Sequence, residues 1–265
     1  MSVLTDTGEM FRELVDFREL FLAMVRRDIV VRYKQTIIGV GWALFTPVVN
    51  MIVFTVIFNR VAKIQTDVPY PIFSYCGLLP WTLLASSLKT AVNSLVTNKN
   101  LITKVYFPRE LLPFSCVVTA LVDFVIGSTI LAALMIYYRI SPAATVWFVP
   151  VLILIQLVFA AGVSLAISMA NLWFRDVKYV FDVVLQLWMF ATPVVYPVRN
   201  VGEPLHTILM LNPMTPIIEA YREVILNGQL PAPGPLGAAT AASIGLFALA
   251  WLLFHRAEYK FAENA

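Results

Sequence analysis

Residues 26–47, RRDIVVRYKQTIIGVGWALFTP, decide the fold of this chain. The first half of the stretch is basic, and it leads directly into an uncharged segment that extends from residue 37 to residue 58. That segment has 22 residues, and about 20 helical residues span the hydrocarbon core of a bilayer. Because basic residues beside a first spanning helix are held in the cytoplasm, the stretch predicts a membrane helix that enters from the cytoplasmic side.

The composition indicates a membrane protein. Of the 265 residues, 60% are hydrophobic and 13% are charged, whereas a soluble domain carries about 25% charged residues. The mean hydropathy is +0.80. The net charge of +3 is small, and the basic residues flank apolar segments and form no patch, so the charge gives no reason to expect a nucleic-acid partner. Cys76 and Cys116 lie inside apolar runs and are interpreted as small buried hydrophobes, not as a disulfide.

Five more apolar runs follow the first, at residues 70–88, 111–138, 146–174, 180–196 and 237–254. Six such runs predict an all-α integral membrane protein with six transmembrane helices. The fifth run is short and contains Pro193. With the N-terminus in the cytoplasm, fourteen Lys and Arg residues fall on the cytoplasmic side and five on the outer side. Because cytoplasmic segments are enriched in these residues, both termini are predicted to be cytoplasmic.

An amphipathic helix is predicted before the first span, over residues 11–34. Its apolar face would carry Phe11, Leu14, Val15, Phe21, Leu22, Val25 and Ile29, and its polar face Arg12, Asp16, Glu19, Arg26 and Arg27. A basic amphipathic helix beside a spanning helix usually lies in the membrane surface. The chain therefore divides into a cytoplasmic N-terminus with this interface helix (1–36), a transmembrane domain (37–254) and a cytoplasmic tail (255–265).

Two connections are longer than a simple turn requires. Residues 89–110, predicted to be cytoplasmic, contain a short helix with an apolar stripe formed by Leu101, Ile102, Val105 and Tyr106. Such a stripe suits the docking of a partner protein; the alternative is that it folds back onto the membrane interface. Residues 197–236, predicted to be outside, contain apolar stretches at 205–211 and 217–226 that are too short to span. They are interpreted as two short helices that re-enter the membrane.

The motifs of several enzyme classes are absent from the sequence, namely a P-loop, an H-E-x-x-H pair, a C-x-x-C pair and a G-x-S-x-G elbow. Asp123 and Asp182 are acids in the apolar runs. A carboxylate at the bilayer centre costs ~2.5–3.5 kcal/mol, so Asp123 needs a partner or water. The sequence leaves open whether that serves a path or a structural contact. Asn50, Gln156 and Gln186 are expected to form interhelical hydrogen bonds.

Four motifs occur in series: RRDIVVRYKQTIIGVGWALFTP (26–47), NKNLITKVYFPRELLP (98–113), NLWFRDV (171–177) and LNPMTPIIEAYR (211–222). Over nearly the whole chain they resemble the permease subunits of type-2 ABC exporters of polysaccharides, which export O-antigen, capsule or teichoic acid. Gln35-Thr36 is a small departure from the Lys/Gln-Ser expected there. The motif residues taken as structural positions are Arg27, Asp28, Arg32, Tyr33, Arg175 and Asp176.

The resemblance implies a transport subunit and not an enzyme. It implies a homodimer in the cytoplasmic (inner) membrane that moves lipid-linked polysaccharide, powered by two copies of a separate ATPase. ATP and Mg would then bind to the partner, and this chain would hold no cofactor. The interface helix, a coupling helix at about 98–107 and outer gate helices at about 204–227 match family elements. Two alternatives remain: an exporter of a drug or lipid with the same architecture, and a membrane-embedded lipid-phosphate sugar transferase.

Side chains of the first and fifth spans are the predicted lining of a transport path: Trp42, Phe45, Asn50, Phe54, Trp188 and Tyr196. Aromatic rings offer apolar faces to sugars, and passage requires contacts weak enough to release the moving chain. The alternative is that these rings face lipid or form an interfacial belt. In the third motif, Arg175 and Asp176 are predicted to fix the turn between the fourth and fifth spans, with Asp176 capping the fifth helix.

Overall fold

The computed structural model describes residues 13, 15–34, 39, 41–61 and 63–257, without the side chain of Arg60. Some predictions fall at least partly outside these residues. They are the contributions of Phe11, Arg12 and Leu14 to the predicted amphipathic helix, the start of the first span at residue 37, and the C-terminal tail. Within the described residues the secondary structure is helical throughout, with no strand. The predicted all-α class is therefore confirmed for this part of the chain.

Eleven α-helices are described here in chain order. They are α1 (Arg18–Tyr33), α2 (Gly41–Phe54), α3 (Tyr70–Ala91), α4 (Ser94–Thr97), α5 (Lys99–Lys104), α6 (Leu111–Tyr137), α7 (Val149–Trp173), α8 (Val177–Phe190), α9 (Leu205–Met210), α10 (Met214–Arg222) and α11 (Pro233–Ala257). Two of them continue as π-helical turns, α2 over Thr55–Val61 and α10 over Glu223–Asn227. Short 3₁₀ turns occupy Ala144–Phe148 and Val198–Asn200.

Five helices in the described residues are long and apolar enough to cross a membrane: Gly41–Asn59, Tyr70–Ala91, Leu111–Tyr137, Ala144–Trp173 and Pro233–Ala257. They correspond to the predicted first, second, third, fourth and sixth spans. The predicted fifth span, 180–196, overlaps α8, which has 14 residues and ends at Phe190. Residues 191–196 form turns, since a proline at position 193 cannot continue the helical hydrogen-bond pattern. The count of six spans therefore stays a prediction.

Helix α3 is the centre of the bundle. Sixteen of its 22 residues are buried, and it packs against α2, α6, α7, α8 and α10. Two polar contacts hold it in place: the Tyr75 hydroxyl donates to the Gly127 carbonyl at 2.9 Å, and the Gln156 amide donates to the Pro80 carbonyl at 2.6 Å. The second contact confirms the interhelical role predicted for Gln156. Such bonds matter in a bilayer because lipid tails are as apolar as leucine side chains, so the hydrophobic effect does not drive helices together.

Helices α7 and α11 approach each other closely at Gly162. A Cβ atom at this position would lie 2.9 Å from both the backbone nitrogen and the Cα atom of Phe247. Gly162→Ala is therefore expected to push the two helices apart and to lower the melting temperature in detergent by several degrees, since overpacking costs about 1–3 kcal/mol. Gly245→Ala on α11 is the matched control, because no atom lies within 4 Å of its added methyl group. Equal melting temperatures for the two variants would contradict this packing.

The N-terminal helix α1 is less simply amphipathic than predicted. Met24 and Val25 are buried against the bundle, whereas Leu22, placed with Val25 on one apolar face, is 63% exposed. The packed side also carries Asp28 and Arg32, which are half-buried. The face that contacts the bundle is therefore partly charged because its partners on α6 are polar. Glu19, Arg26 and Arg27, predicted for the polar face, are exposed, and the predicted position of this helix in the membrane surface stays a prediction.

The two ends of the bundle differ in the elements that cover them. At one end, which we call the α5 end, Met24, Leu95, Ile102 and Phe254 belong to one buried cluster that joins α1, α4, α5 and α11. At the other end, which we call the α10 end, α10 packs against α3, α7 and α11. The sequence predicts the α5 end to be cytoplasmic and the α10 end to face outwards.

Candidate functional site

Two neighbouring cavities lie beside α3. One, of about 550 Å³, is bounded by α1, α2, α3 and α6; the other, of about 670 Å³, is bounded by α3 and α8. Trp81, Ala85, Lys89 and Met189 line both. The first three are spaced by four residues and so share one face of α3. The two cavities therefore form a groove that follows this face towards the α5 end.

The first cavity receives one face of α2. Trp42, Thr46 and Asn50, spaced by four residues, line it together with Ala43 and Pro47. Helix α2 buries Pro47 alone among its residues, all of which are described. Its remaining surface is available to lipid or to another chain.

An ionic cluster closes the first cavity where α1 meets α6. The Asp123 carboxylate accepts hydrogen bonds from the Arg32 guanidinium and the Tyr33 hydroxyl. Arg32 also lies 3.5 Å from the Ser86 hydroxyl on α3. Burial, and next the bond to Asp123, raise the pKa of Tyr33 to about 12. The partner that Asp123 needs is therefore supplied by the first motif, from a helix about ninety residues earlier in the chain.

A second group of polar contacts ties α1 to the α5 end. The Arg27 guanidinium donates to Asp28 at 2.9 Å and to the side-chain oxygen of Asn98, between α4 and α5, at 3.0 Å. The Ser115 hydroxyl on α6 donates to Asp28 at 3.2 Å. The charged residues of the first motif thus connect α1 to the short helices and to α6.

The six predicted path residues do not converge on one site. Trp42 and Asn50 line the first cavity. Phe45 lies off that face of α2, half-exposed, with its ring edge-on to Trp42 at 5.5 Å between centroids. Phe54 packs on Phe58 at 6.0 Å. In the described structure, therefore, Phe45 and Phe54 lie outside the lining of both cavities.

The two predicted path residues that follow α7 have other contacts. Trp188 packs edge-on against Trp81 at 6.0 Å and against Phe159 at 6.1 Å, so its ring joins the core behind the cavities. The Tyr196 hydroxyl donates to the Phe190 carbonyl at 2.9 Å, at the end of α8. Neither side chain is among those that line the two cavities in the described residues.

The predicted docking stripe is not a single exposed surface. Ile102 is 3% exposed and belongs to the buried cluster at the α5 end, and Leu101 is half-buried against the same cluster. Val105 is exposed, and Tyr106 is 81% exposed. Ile102 is therefore not part of an exposed docking surface, because its side chain joins the cluster that also contains Met24 and Leu111. The exposed part of the stripe is Val105 and Tyr106.

The turn predicted between residues 173 and 177 is present, but its capping residue differs. Asp176 precedes α8 and makes no side-chain cap to it among the described residues. Instead, the side-chain oxygen of Asn171, on the last turn of α7, accepts a hydrogen bond from the Lys178 backbone N–H at 3.2 Å. Arg175 is exposed in the same turn. The cap predicted for Asp176 is therefore wrong, and Asn171 supplies the contact from the preceding helix.

Arg222 is a site that the sequence analysis did not single out. It ends α10 and is 3% exposed. Its guanidinium donates to the Pro193 carbonyl at 2.8 Å, to the Val194 carbonyl at 2.6 Å and to the Glu219 carboxylate at 2.6 Å. An arginine inside the apolar stretch 217–226, three residues after a glutamate, was the available signal. In membrane proteins such a residue usually has specific partners.

Comparison with known proteins agrees with this architecture of long apolar helices. The family described as "ABC-2 type transporter" matches residues 19–226. That range is most of the chain, and the chain belongs to this family. It is a multi-pass membrane protein of the transporter permease type.

Several curated relatives match nearly the full length. The chain is 33% identical over 255 residues to the O-antigen export system permease protein RfbA of Myxococcus xanthus, covering 96% of this chain and 98% of that protein. It is 28% identical to the RfbA protein of Klebsiella pneumoniae, covering 92% and 94%. It is 21% identical to the polysialic acid transport protein KpsM of Escherichia coli, covering 92% and 93%.

Proposed function

We propose that this chain is the membrane permease of an ATP-driven exporter that moves lipid-linked polysaccharide, such as O-antigen, across the inner membrane. The observation that carries this proposal is the similarity, over almost the whole length of both chains, to permeases named for the export of O-antigen. The similarity to a polysialic acid transport protein points to the same substrate class. A homodimer with two copies of a separate ATPase, which would hold ATP and Mg, completes the proposed complex.

The described helices accommodate this assignment. In it, α1 belongs to the cytoplasmic interface region (1–36), α5 belongs to the coupling segment (about 98–107), and α9 and α10 belong to the outer gate segment (about 204–227). Residues 37–254 form the transmembrane domain and 255–265 the cytoplasmic tail. The glycan would follow the groove beside α3, in which Trp42, Trp81 and Asn50 supply aromatic and polar contacts.

The transferase alternative has less support. A membrane-embedded sugar transferase would need a carboxylate available to the reacting groups, and Asp123 is engaged by Arg32 and Tyr33. Asp182 lines the second cavity, where Lys89 and Lys178 also lie. The relatives named above are export and transport proteins, which disfavours a transferase. Their names refer to O-antigen and polysialic acid, which favours a polysaccharide substrate over a drug or a simple lipid.

Disrupting this chain in its own cell tests the proposal. Loss of the permease is expected to remove the polysaccharide from the cell surface while the lipid-linked glycan accumulates on the cytoplasmic side. A transferase would give a different result, because glycan assembly would stop and no finished intermediate would accumulate. Unchanged surface polysaccharide would contradict the proposal and favour another substrate. Re-expression of the intact chain is the control.

Docking of the ATPase is tested at the exposed part of the stripe. Tyr106→Asp and Val105→Asp are expected to abolish co-purification of the ATPase, because each introduces a charge where an apolar contact would be buried. Ile102→Asp is unsuitable for this test, since it would disrupt the buried cluster. Tyr137→Asp is the matched control. Tyr137 is also an exposed tyrosine, but it lies at the C-terminal end of α6, whereas Tyr106 precedes the N-terminal end of that helix. Normal co-purification of both docking variants would exclude this surface.

A further inference from the structure

The chain that follows α8 is fixed by side chains from other elements. Helix α8 ends at Phe190, and the next residues form turns in which Thr192, Val194 and Val195 are fully buried. Three consecutive carbonyls here accept side-chain hydrogen bonds. Those of Pro193 and Val194 accept from Arg222, and that of Val195 accepts from the Tyr70 hydroxyl at 2.6 Å. Because lipid offers no donors, such carbonyls require donors from the protein.

The guanidinium sits in a site shaped for it. It lies over the Phe73 ring at 3.9 Å from the centroid, a cation–π contact. On the same helix, a Cβ atom at Gly77 would lie 2.5 Å from Arg222 Nη2 and 2.5 Å from the Val194 carbonyl oxygen. A glycine is therefore required where α3 passes the junction of α10 and the turn. Arginine suits this site better than lysine, since its planar fork can bond several acceptors at fixed angles.

The turn matters because α8 is otherwise weakly held. Helix α8, all of which is described, buries Leu185 alone, whereas eight of the nine residues of α10 are buried. The Asn212 amide just before α10 also donates to the Thr192 hydroxyl at 2.7 Å. Contacts from the firmly packed α10 therefore set the position of one end of the loosely packed α8.

We infer that Arg222 is a positioning residue that fastens α10 to the end of α8, so that the outer segment and this wall of the groove move as one unit. The functional part of this inference rests on the proposed export function, in which the groove opens for the glycan. Movement of α8 would then carry the outer segment with it. The fastening itself is a property of the fold and is tested without substrate.

The test uses a single cysteine at position 195 in a chain carrying Cys76→Ala and Cys116→Ala. In Val195→Cys the thiol is expected to be buried and to react slowly with a membrane-impermeant maleimide. Arg222→Met is expected to raise the labelling rate several-fold, because the turn loses two hydrogen bonds. Arg199→Met is the matched control, since Arg199 pairs with exposed Asp67 and should leave labelling unchanged.

A second pair of variants reaches the same contact from α3. Gly77→Ala is expected to raise labelling as Arg222→Met does, because its methyl group occupies the space of the guanidinium and the Val194 carbonyl. Gly245→Ala, where no atom lies within 4 Å of the added methyl group, should not raise it. If Arg222→Met fails to fold, the Gly77→Ala result decides. Labelling at the parent rate in folded Gly77→Ala would overturn the inference.

Arg222→Lys separates positioning from simple stability. Lysine keeps the buried charge near Glu219 but cannot bond both carbonyls in the same geometry. The melting temperature of Arg222→Lys is expected to lie close to the parent value while its labelling rate stays raised, as in Arg222→Met. A melting temperature and a labelling rate that both match the parent chain would overturn the positioning role. Surface polysaccharide is measured in parallel. Failure of the parent chain to support export would contradict the proposed function alone, whereas unchanged labelling with normal export would contradict the inference alone.

Discussion

Asp123→Ala is expected to destabilise the protein and to reduce export strongly, because it leaves the Arg32 guanidinium without its carboxylate. Removing one partner of a fully buried ion pair costs about 3–5 kcal/mol. The side chains of Arg32 and Asp123 keep 26% and 21% of their surface exposed, so a loss of about 1–3 kcal/mol is expected here. Thermal melting in detergent measures it, together with surface polysaccharide in cells.

A double variant distinguishes the ion pair from general damage at this position. In Asp123→Ala/Arg32→Met the unpaired charge is gone, so the double variant is expected to melt at a higher temperature than Asp123→Ala alone. Asp182→Ala is the single-site control for the melting temperature alone, since that carboxylate is exposed at the second cavity. If the stability losses of Asp123→Ala and Arg32→Met simply add up in the double variant, Arg32 and Asp123 are not coupled.

Ala85→Trp is expected to block export while leaving the permease in the membrane. Ala85 lines both cavities and is half-buried, so an indole ring there would occupy the space that joins them. A glycan that follows this groove could not pass the ring. Surface polysaccharide is expected to fall to the background of a strain without the permease, with permease level and ATPase co-purification unchanged.

The control for the block is Ala248→Trp, on an exposed part of α11. It adds the same ring to a surface away from the groove and is expected to export normally. Trp42→Ala probes the lining without blocking it and should reduce export partially, because one aromatic contact is lost. Normal export by Ala85→Trp would place the path elsewhere, such as at a surface shared with a second copy of the chain.

The sequence predicts the long helices well because the thickness and apolar interior of the bilayer determine their length and composition. The second apolar run, predicted at 70–88, is the helix Tyr70–Ala91. The short helix α10 begins at Met214, directly after the Asn212-Pro213 pair, and the Asn212 side-chain oxygen accepts from the Met214 N–H at 3.2 Å. These features depend on local chemistry, which a single sequence contains.

Features that depend on distant partners were not predicted. The carboxylate of Asp123 accepts hydrogen bonds from Arg32 and Tyr33, which lie about ninety residues earlier in the chain. The hydropathy of the sequence does not indicate which distant residues pair in this way. Ile102 and Tyr106 are both apolar-stripe residues in the sequence, and only the tertiary structure shows that Ile102 joins a buried cluster whereas Tyr106 is exposed. Aspartate is favoured before a helix, but Asn171, in the preceding helix, supplies the contact instead.

The contrast in burial between α3 and α8 has a mechanical consequence. Helix α3, with sixteen buried residues, can shift only if many contacts with its neighbours are broken together. Away from the end that Arg222 fastens, helix α8 breaks few contacts when it moves, because Leu185 is its one buried residue among fourteen, all described. The two walls of the second cavity therefore have very different stiffness. A widening of that cavity would therefore come almost entirely from movement of α8 relative to α3, which stays in place.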